Sequence, residues 1–200
     1  MPLDPTLIQA LSATCAPQVA PSTLLAIGKV ESGFDPLAIG VNGAQPRHMT
    51  FATRDAAAAK AHRLIDAGAN IDLGLGQINS RNLAPLGLSV EDAFDPCRNL
   101  AAASQVLAAG YRRAAPTPGH EQDGIRTALS FYNTGSPDRG FANGYVAKVT
   151  AAAQVVPALT ASDGAPPAST PTPPRPAWDV FGAASPRSGF VLTPTSGVTP

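Results

Sequence analysis

The sequence predicts a mainly α-helical domain with little β structure, followed by a flexible Pro-rich tail. Three observations carry that expectation. Apolar residues recur at three- and four-residue spacing in segments spread over residues 1–156. Those segments are bounded by Pro, Gly and Asp in the positions that start and stop helices. From Pro157 onward the periodicity gives way to Pro, Ala, Ser and Thr, densest in proline between Pro166 and Pro176.

The first helix opens at Asp4-Pro5 and presents Leu7, Ile8 and Leu11 on one face. A second runs from Pro21 to Glu31, with Ser22 as the expected N-cap. Between Ala38 and Phe51 the Asn42-Gly43 dipeptide predicts a turn in a minor β-hairpin or ordered loop. An alanine-rich helix follows from about Arg54 to Ala67, closed by Gly68. Another starts at Asp95-Pro96 and spaces Cys97, Leu100, Ser104, Leu107 and Tyr111 along one stripe. A further helix ends near Tyr132, sharing a face with Ile125, Ala128 and Leu129, and a last one spans about Asn143 to Val156. The expected division is a domain over 1–156 and a tail over 157–200.

That tail buries too little to offset ordering entropy and is expected to be extended or disordered. Within it, Trp178-Asp179-Val180-Phe181-Gly182 carries the sole tryptophan of the chain and reads as a short docking segment for a protein partner. The formal charge is zero, which gives no electrostatic case for nucleic acid. His48, His62 and His120 lack ligand spacing, so neither a metal nor a cofactor is expected. No stretch is apolar enough to span a membrane.

Glu31 stands out chemically. At about 100° per residue it falls in the same sector as Leu24, Ile27 and Gly28, while Lys29 points away. A carboxyl in the last turn of an apolar stripe is desolvated, which raises its pKa. Ser32-Gly33-Phe34-Asp35-Pro36 then stops the helix and turns the chain. Such a group is suited to general acid catalysis near neutral pH.

Three further blocks follow: Gly74-Leu75-Gly76-Gln77-Ile78-Asn79, then Ala128-Leu129-Ser130-Phe131-Tyr132-Asn133-Thr134-Gly135, then Asn143-Gly144-Tyr145-Val146. With Glu31-Ser32-Gly33-Phe34-Asp35-Pro36, their order and spacing resemble the soluble-type lytic transglycosylases, goose-lysozyme-like enzymes that cut peptidoglycan glycan strands. Val41-Asn42-Gly43, Asp72-Leu73-Gly74-Leu75 and Phe94-Asp95-Pro96-Cys97-Arg98-Asn99-Leu100 are similar to the transglycosylase component of type IV secretion systems. The resemblance covers roughly residues 10–150. It implies a lysozyme-like helical domain with Glu31 as the catalytic acid. It also implies that Tyr132 supports that carboxyl and that Ser32, Asn133 and Tyr145 line the saccharide groove, with Tyr145 equally readable as a core aromatic. Gln77 and Asn79 bear amides suited to N-acetyl groups and hydroxyls, or to backbone groups of their own loop.

Glycoside cleavage commonly uses two carboxyl groups. Only one acid here lies in a block of the required kind, which suits a substrate that supplies its own nucleophile. The resemblance implies that the C6 hydroxyl of N-acetylmuramic acid closes on its own anomeric carbon, leaving a 1,6-anhydromuramyl end. Asp72 is the nearby acid that would make the site hydrolytic, and it reads rather as a loop or capping aspartate. The rival readings are a muramidase on the same fold and a non-enzymatic assembly factor that binds glycan or channel proteins. The implied partners are peptidoglycan strands and, through the tail, proteins of a secretion channel.

Cys15 and Cys97 are expected to form a disulfide, because the resemblance places the enzyme in the oxidising periplasm. The N-terminal Met1-Pro2-Leu3-Asp4-Pro5 has no Lys or Arg, and the apolar stretch after it is broken by Gln9 and Ser12. That is not a secretory signal, so a periplasmic location requires an upstream start, a signal left out of this sequence, or another route.

Overall fold

The computed structural model describes residues 1–43 and 45–155, so the 178–182 segment and the junction after residue 156 lie outside it. Seven helices are present among these residues: α1 (Pro5–Cys15), α2 (Pro21–Ser32), α3 (Arg54–Asp66), α4 (Pro96–Ala114), α5 (Glu121–Thr134), α6 (Arg139–Ala142) and α7 (Tyr145–Val155). Four short strands, β1 (Ile39–Val41), β2 (Arg47–Met49), β3 (Ile71–Leu73) and β4 (Ile78–Asn79), form one antiparallel sheet in the order β2-β1-β3-β4.

Three of the helix starts carry a side-chain cap. Asp4 accepts from the Thr6 amide at 2.7 Å, Thr53 from Ala56 at 3.3 Å and Asp95 from Arg98 at 2.9 Å. The expected Ser22 cap is corrected: Pro21 occupies the first helical position, and Ala20 precedes it without a side-chain bond. Pro21 itself has no amide to satisfy there, and Ser22 lies inside the first turn rather than ahead of it. The first helix is also rotated from its expected face. Ile8 and Ser12 are fully buried, whereas Leu7 is exposed.

Helix α2 runs through the middle of the domain, with every residue from Thr23 to Gly28 buried. It packs on α1 and α7, while α4 packs on α1 and α5. The largest fully buried side chains come from helices and sheet alike, including Ile8, Leu24, Leu25, Ile39, Leu73, Leu75, Phe94, Leu107 and Leu129. The core is therefore continuous from the helical bundle to the sheet. Cys15, the last residue of α1, is bonded to Cys97 in the first turn of α4, with Cα atoms 5.5 Å apart. This crosslink bridges a sequence separation of 82 residues and fixes the base of α4 against α1.

The expected hairpin is present as β1–β2, and the sheet extends it by two strands. Gly40 on β1 faces His48 on one side and Asp72 on the other, and Asp72 in turn faces Asn79. The expected last helix is present as α7; a short α6 that was not expected precedes it, and Gly144, with φ of +79°, separates the two. In the described residues no helix is long and apolar enough to cross a membrane.

Candidate active site

The end of α2 delivers Glu31 into a cleft of about 660 Å³ between the sheet and the α4–α5 pair. Glu31, Gln77, Asn79, Tyr132 and Asn133 line this cleft, joined by Asp72, Asn42 and Asn70. Glu31 is half-buried, with its carboxyl pushed up to about 7. Burial is the main cause; the Asp72 charge adds to it, and a hydrogen bond from Tyr145 opposes it. A carboxyl with that pKa carries its proton through a large part of the molecules at neutral pH and gives it up readily.

The two tyrosines divide the work differently from expectation. Tyr145 Oη donates to Glu31 Oε1 at 2.5 Å, although the two residues lie 114 apart in sequence. Tyr132 Oη instead donates to the Gly76 carbonyl at 2.6 Å. Tyr145 is buried at the start of α7, and its phenol is held well above its ordinary pKa by burial and then by the Glu31 charge. It therefore remains a donor to the carboxylate. Asn143 fixes where α7 begins: its Oδ1 accepts from the Tyr145 amide at 2.9 Å, and its Nδ2 donates to Asn133 Oδ1 at 2.8 Å. One asparagine thus ties the end of α5 to the residue that touches Glu31.

Asp72 is not a loop or capping residue. It lies in β3, between the buried Ile71 and Leu73, with its side chain on the cleft. Asn42 Nδ2 donates to Asp72 Oδ2 at 2.7 Å, and Asn79 Nδ2 donates to Asp72 Oδ1 at 2.7 Å. Burial raises the Asp72 pKa, and these two amides counter it by favouring the carboxylate.

The remaining predicted residues split between cleft and scaffold. Asn79 is committed at both ends, since its Oδ1 also accepts from the Arg81 amide at 3.1 Å. Gln77 has a positive φ of 49°, and its Nε2 donates to the carbonyls of Gly74 at 2.8 Å and Ala38 at 3.3 Å. Both amides therefore build the loop that borders the cleft. Ser32 does not line the groove: it is buried, and its hydroxyl lies 3.1 Å from the Gly28 carbonyl and 2.9 Å from that of Leu75. Its contribution is to dock the end of α2 onto the Gly74–Gln77 turn.

A residue that sequence reasoning did not single out organises this turn. Asn99, fully buried on α4, accepts from the Gly76 amide at 2.7 Å. It donates to the carbonyls of Leu73 at 2.9 Å and Ala93 at 2.7 Å. The signal was legible as an amide on the buried side of a helix that otherwise packs Leu100, Ala103 and Leu107. The turn can approach Asn99 only because Gly74 and Gly76 lack side chains. A Cβ on Gly74, at φ +73°, would lie 2.2 Å from the Ala93 oxygen, and one on Gly76 would lie 2.8 Å from Tyr132 Oη. Asn70 Oδ1, also in the cleft wall, is buried without a hydrogen-bond partner among the described residues, which leaves an acceptor for a ligand N–H or O–H.

Comparison with known proteins agrees with this geometry. The family described as Transglycosylase SLT domain matches residues 9–154. The virB1 protein of Agrobacterium fabrum is 45% identical over 178 residues, covering 87% of this chain and 70% of the relative. The virB1 protein of Rhizobium radiobacter is 47% identical over 160 residues, covering 79% and 66%. The type IV secretion system protein virB1 of Brucella abortus is 43% identical over 151 residues, covering 72% and 63%. The chain thus spans about two thirds of the length of these relatives. No solved structure matches it significantly.

Proposed function

This chain belongs to the Transglycosylase SLT domain family, and from that premise we propose that it is a peptidoglycan lytic transglycosylase serving a type IV secretion machine. The observation that carries the chemistry is the Glu31 carboxyl, raised to about 7 and held by Tyr145 at the wall of the cleft. Protonated Glu31 gives its proton to the glycosidic oxygen as the bond from C1 of N-acetylmuramic acid to that oxygen breaks. The C6 hydroxyl then closes on C1 and returns its proton to Glu31, so a 1,6-anhydro ring forms and no water is consumed. Tyr145 stabilises the carboxylate between the two transfers. Positioned proton transfer of this kind is worth on the order of 10²–10⁴ in rate.

Asp72 contributes charge rather than a nucleophile in this reading. Both its oxygens accept amide hydrogens, so it is held in place as a carboxylate. Its negative charge adds to the burial that raises the Glu31 pKa and favours the oxocarbenium-like transition state. The partnerless Asn70 Oδ1 is suited to accept an N-acetyl N–H. Substrate chemistry places the enzyme outside the cytoplasm, in the periplasm, where the Cys15–Cys97 bond persists. We assign catalysis to the domain over 1–156 and attachment to channel proteins to the tail over 157–200.

The test is release of soluble fragments from purified peptidoglycan sacculi by the oxidised protein and by Glu31→Gln. Release by the parent alone is expected. Equal release by both would remove Glu31 from the mechanism.

A further inference from the structure

The cleft carries its charges at separate places. Its carboxylates, Glu31 and Asp72, belong to the end of α2 and to the sheet, whereas its one lining cation among the described residues, Arg113, lies on α4. That helix walls the cleft with Gln105, Val106, Ala109, Gly110 and Arg113. From Gln105 to Arg113 this wall runs about 12 Å along the helix axis. Arg113 makes no salt bridge with a described residue, and its guanidinium carbon lies 4.1 Å from the centre of the Phe131 ring, itself a cleft residue. Stacking occupies one face of the guanidinium and orients the group, while its N–H edge stays free to engage an anion in bidentate fashion. A charge that only complemented the helix C-terminus would not need to enter the cleft. Arg112, adjacent and exposed, supplies that charge without lining it.

A peptidoglycan strand alternates two sugars joined by the same β-1,4 linkage. The ring atoms of those sugars are alike, and the muramyl residue differs by its lactyl ether. That ether ends as a carboxylate or continues into a stem peptide bearing carboxylates. An anion brought into this cleft by the glycan therefore comes from a muramyl residue. We propose that Arg113, oriented by Phe131, binds the carboxylate of a muramyl substituent and thereby sets the register of the strand, so that the muramyl anomeric carbon reaches Glu31. Arg113 is in this sense a specificity residue for the reaction given above, and the inference rests on that reading.

The experiment uses the full chain, oxidised, in a Glu31→Gln background so that ligands survive, with calorimetric titration of three probes of equal sugar number. These are stem-bearing glycan fragments, fragments stripped of peptide by an amidase, and a chito-oligosaccharide without carboxylates. Arg113→Met, which keeps an apolar chain against Phe131, is expected to weaken the carboxylate-bearing probes about tenfold. It should change chito-oligosaccharide binding by less than about twofold, and Arg113→Lys should recover part of the loss because it restores charge without the planar fork. Loss confined to stem-bearing fragments assigns the anion to the stem; loss confined to amidase-stripped fragments assigns it to the free lactyl carboxylate, and loss on both shows that Arg113 engages either one. Equal loss on the chito-oligosaccharide, or no loss on any probe, overturns the inference. Failure of the underlying functional reading is distinguishable, because the parent protein would then release no anhydromuramyl product and the Arg113-intact protein would bind no muramyl fragment.

Discussion

Replacing Glu31 by Gln should stabilise the folded protein at alkaline pH, and the size of that gain follows from the geometry. The Glu31 pKa rises from an ordinary 4.5 to about 7 on folding, chiefly because the carboxyl loses water, with the Asp72 charge adding to the effect. Between those two values the folded state holds a proton that the unfolded chain has released. Stability is therefore lost as pH rises through that window and is lowest above it. The full cost is about 3 kcal/mol. Glutamine cannot ionise, and its amide oxygen can still accept the hydrogen bond from Tyr145. The difference in unfolding free energy between Glu31→Gln and its parent should be small at pH 4.5 and grow to about 3 kcal/mol at pH 8. For a chain of this size that is a gain of roughly 6–12 °C in Tm at pH 8. Urea titrations of both oxidised proteins at four or five pH values measure it. A difference that stays flat with pH, or that grows toward acid, would refute the assignment of a raised Glu31 pKa.

Four other outcomes follow from the same contacts. Tyr145→Phe removes the hydrogen bond that favours the Glu31 carboxylate, so the alkaline limb of kcat/KM should move to higher pH while activity falls; a shift to lower pH would contradict the geometry. Asp72→Asn removes a charge that raises Glu31, so that limb should move to lower pH, and the product should keep its anhydro end. Asn99→Ala strands the Gly76 amide and two carbonyls in the core, which should cost about 3 kcal/mol or more in a urea titration. Reducing Cys15–Cys97, or replacing both by Ser, reopens a loop of about 80 residues and should cost about 4–5 kcal/mol in the chain-entropy account, measured as the oxidised–reduced difference.

The longer helices were legible because each carries its own signal, whereas the four-residue α6 was not foreseen. Asp4 and Asp95 cap where their sequences place them, and the α4 stripe of Leu100, Ser104, Leu107 and Tyr111 is buried. Ser22 misled because the helix begins one residue earlier, at Pro21, which makes Ala20 the N-cap and puts Ser22 inside the first turn. The strands β3 and β4 are three and two residues long, too short for periodicity to register. Even so, Ile71-Asp72-Leu73 alternates as a half-buried strand does, and that pattern was the clue to Asp72 facing the cleft. Glu31 could be singled out because a carboxyl on a buried helix is anomalous by itself. Its tyrosine partner could not be chosen the same way. Tyr132 and Tyr145 each sit in a suitable block, and only the packing of α7 on α2, with Asn143 setting the start of α7, decides which hydroxyl reaches the carboxyl.

The central claim is that Glu31 breaks the muramyl bond without water, and the structure of the new chain end tests it most directly. Sacculi digested by the oxidised protein in heavy-oxygen water should yield 1,6-anhydromuramyl ends, lighter by one water than hydrolytic products and free of the label. The Glu31→Gln variant should yield none. Reducing muramyl ends carrying the heavy oxygen would contradict the account and make the protein a muramidase.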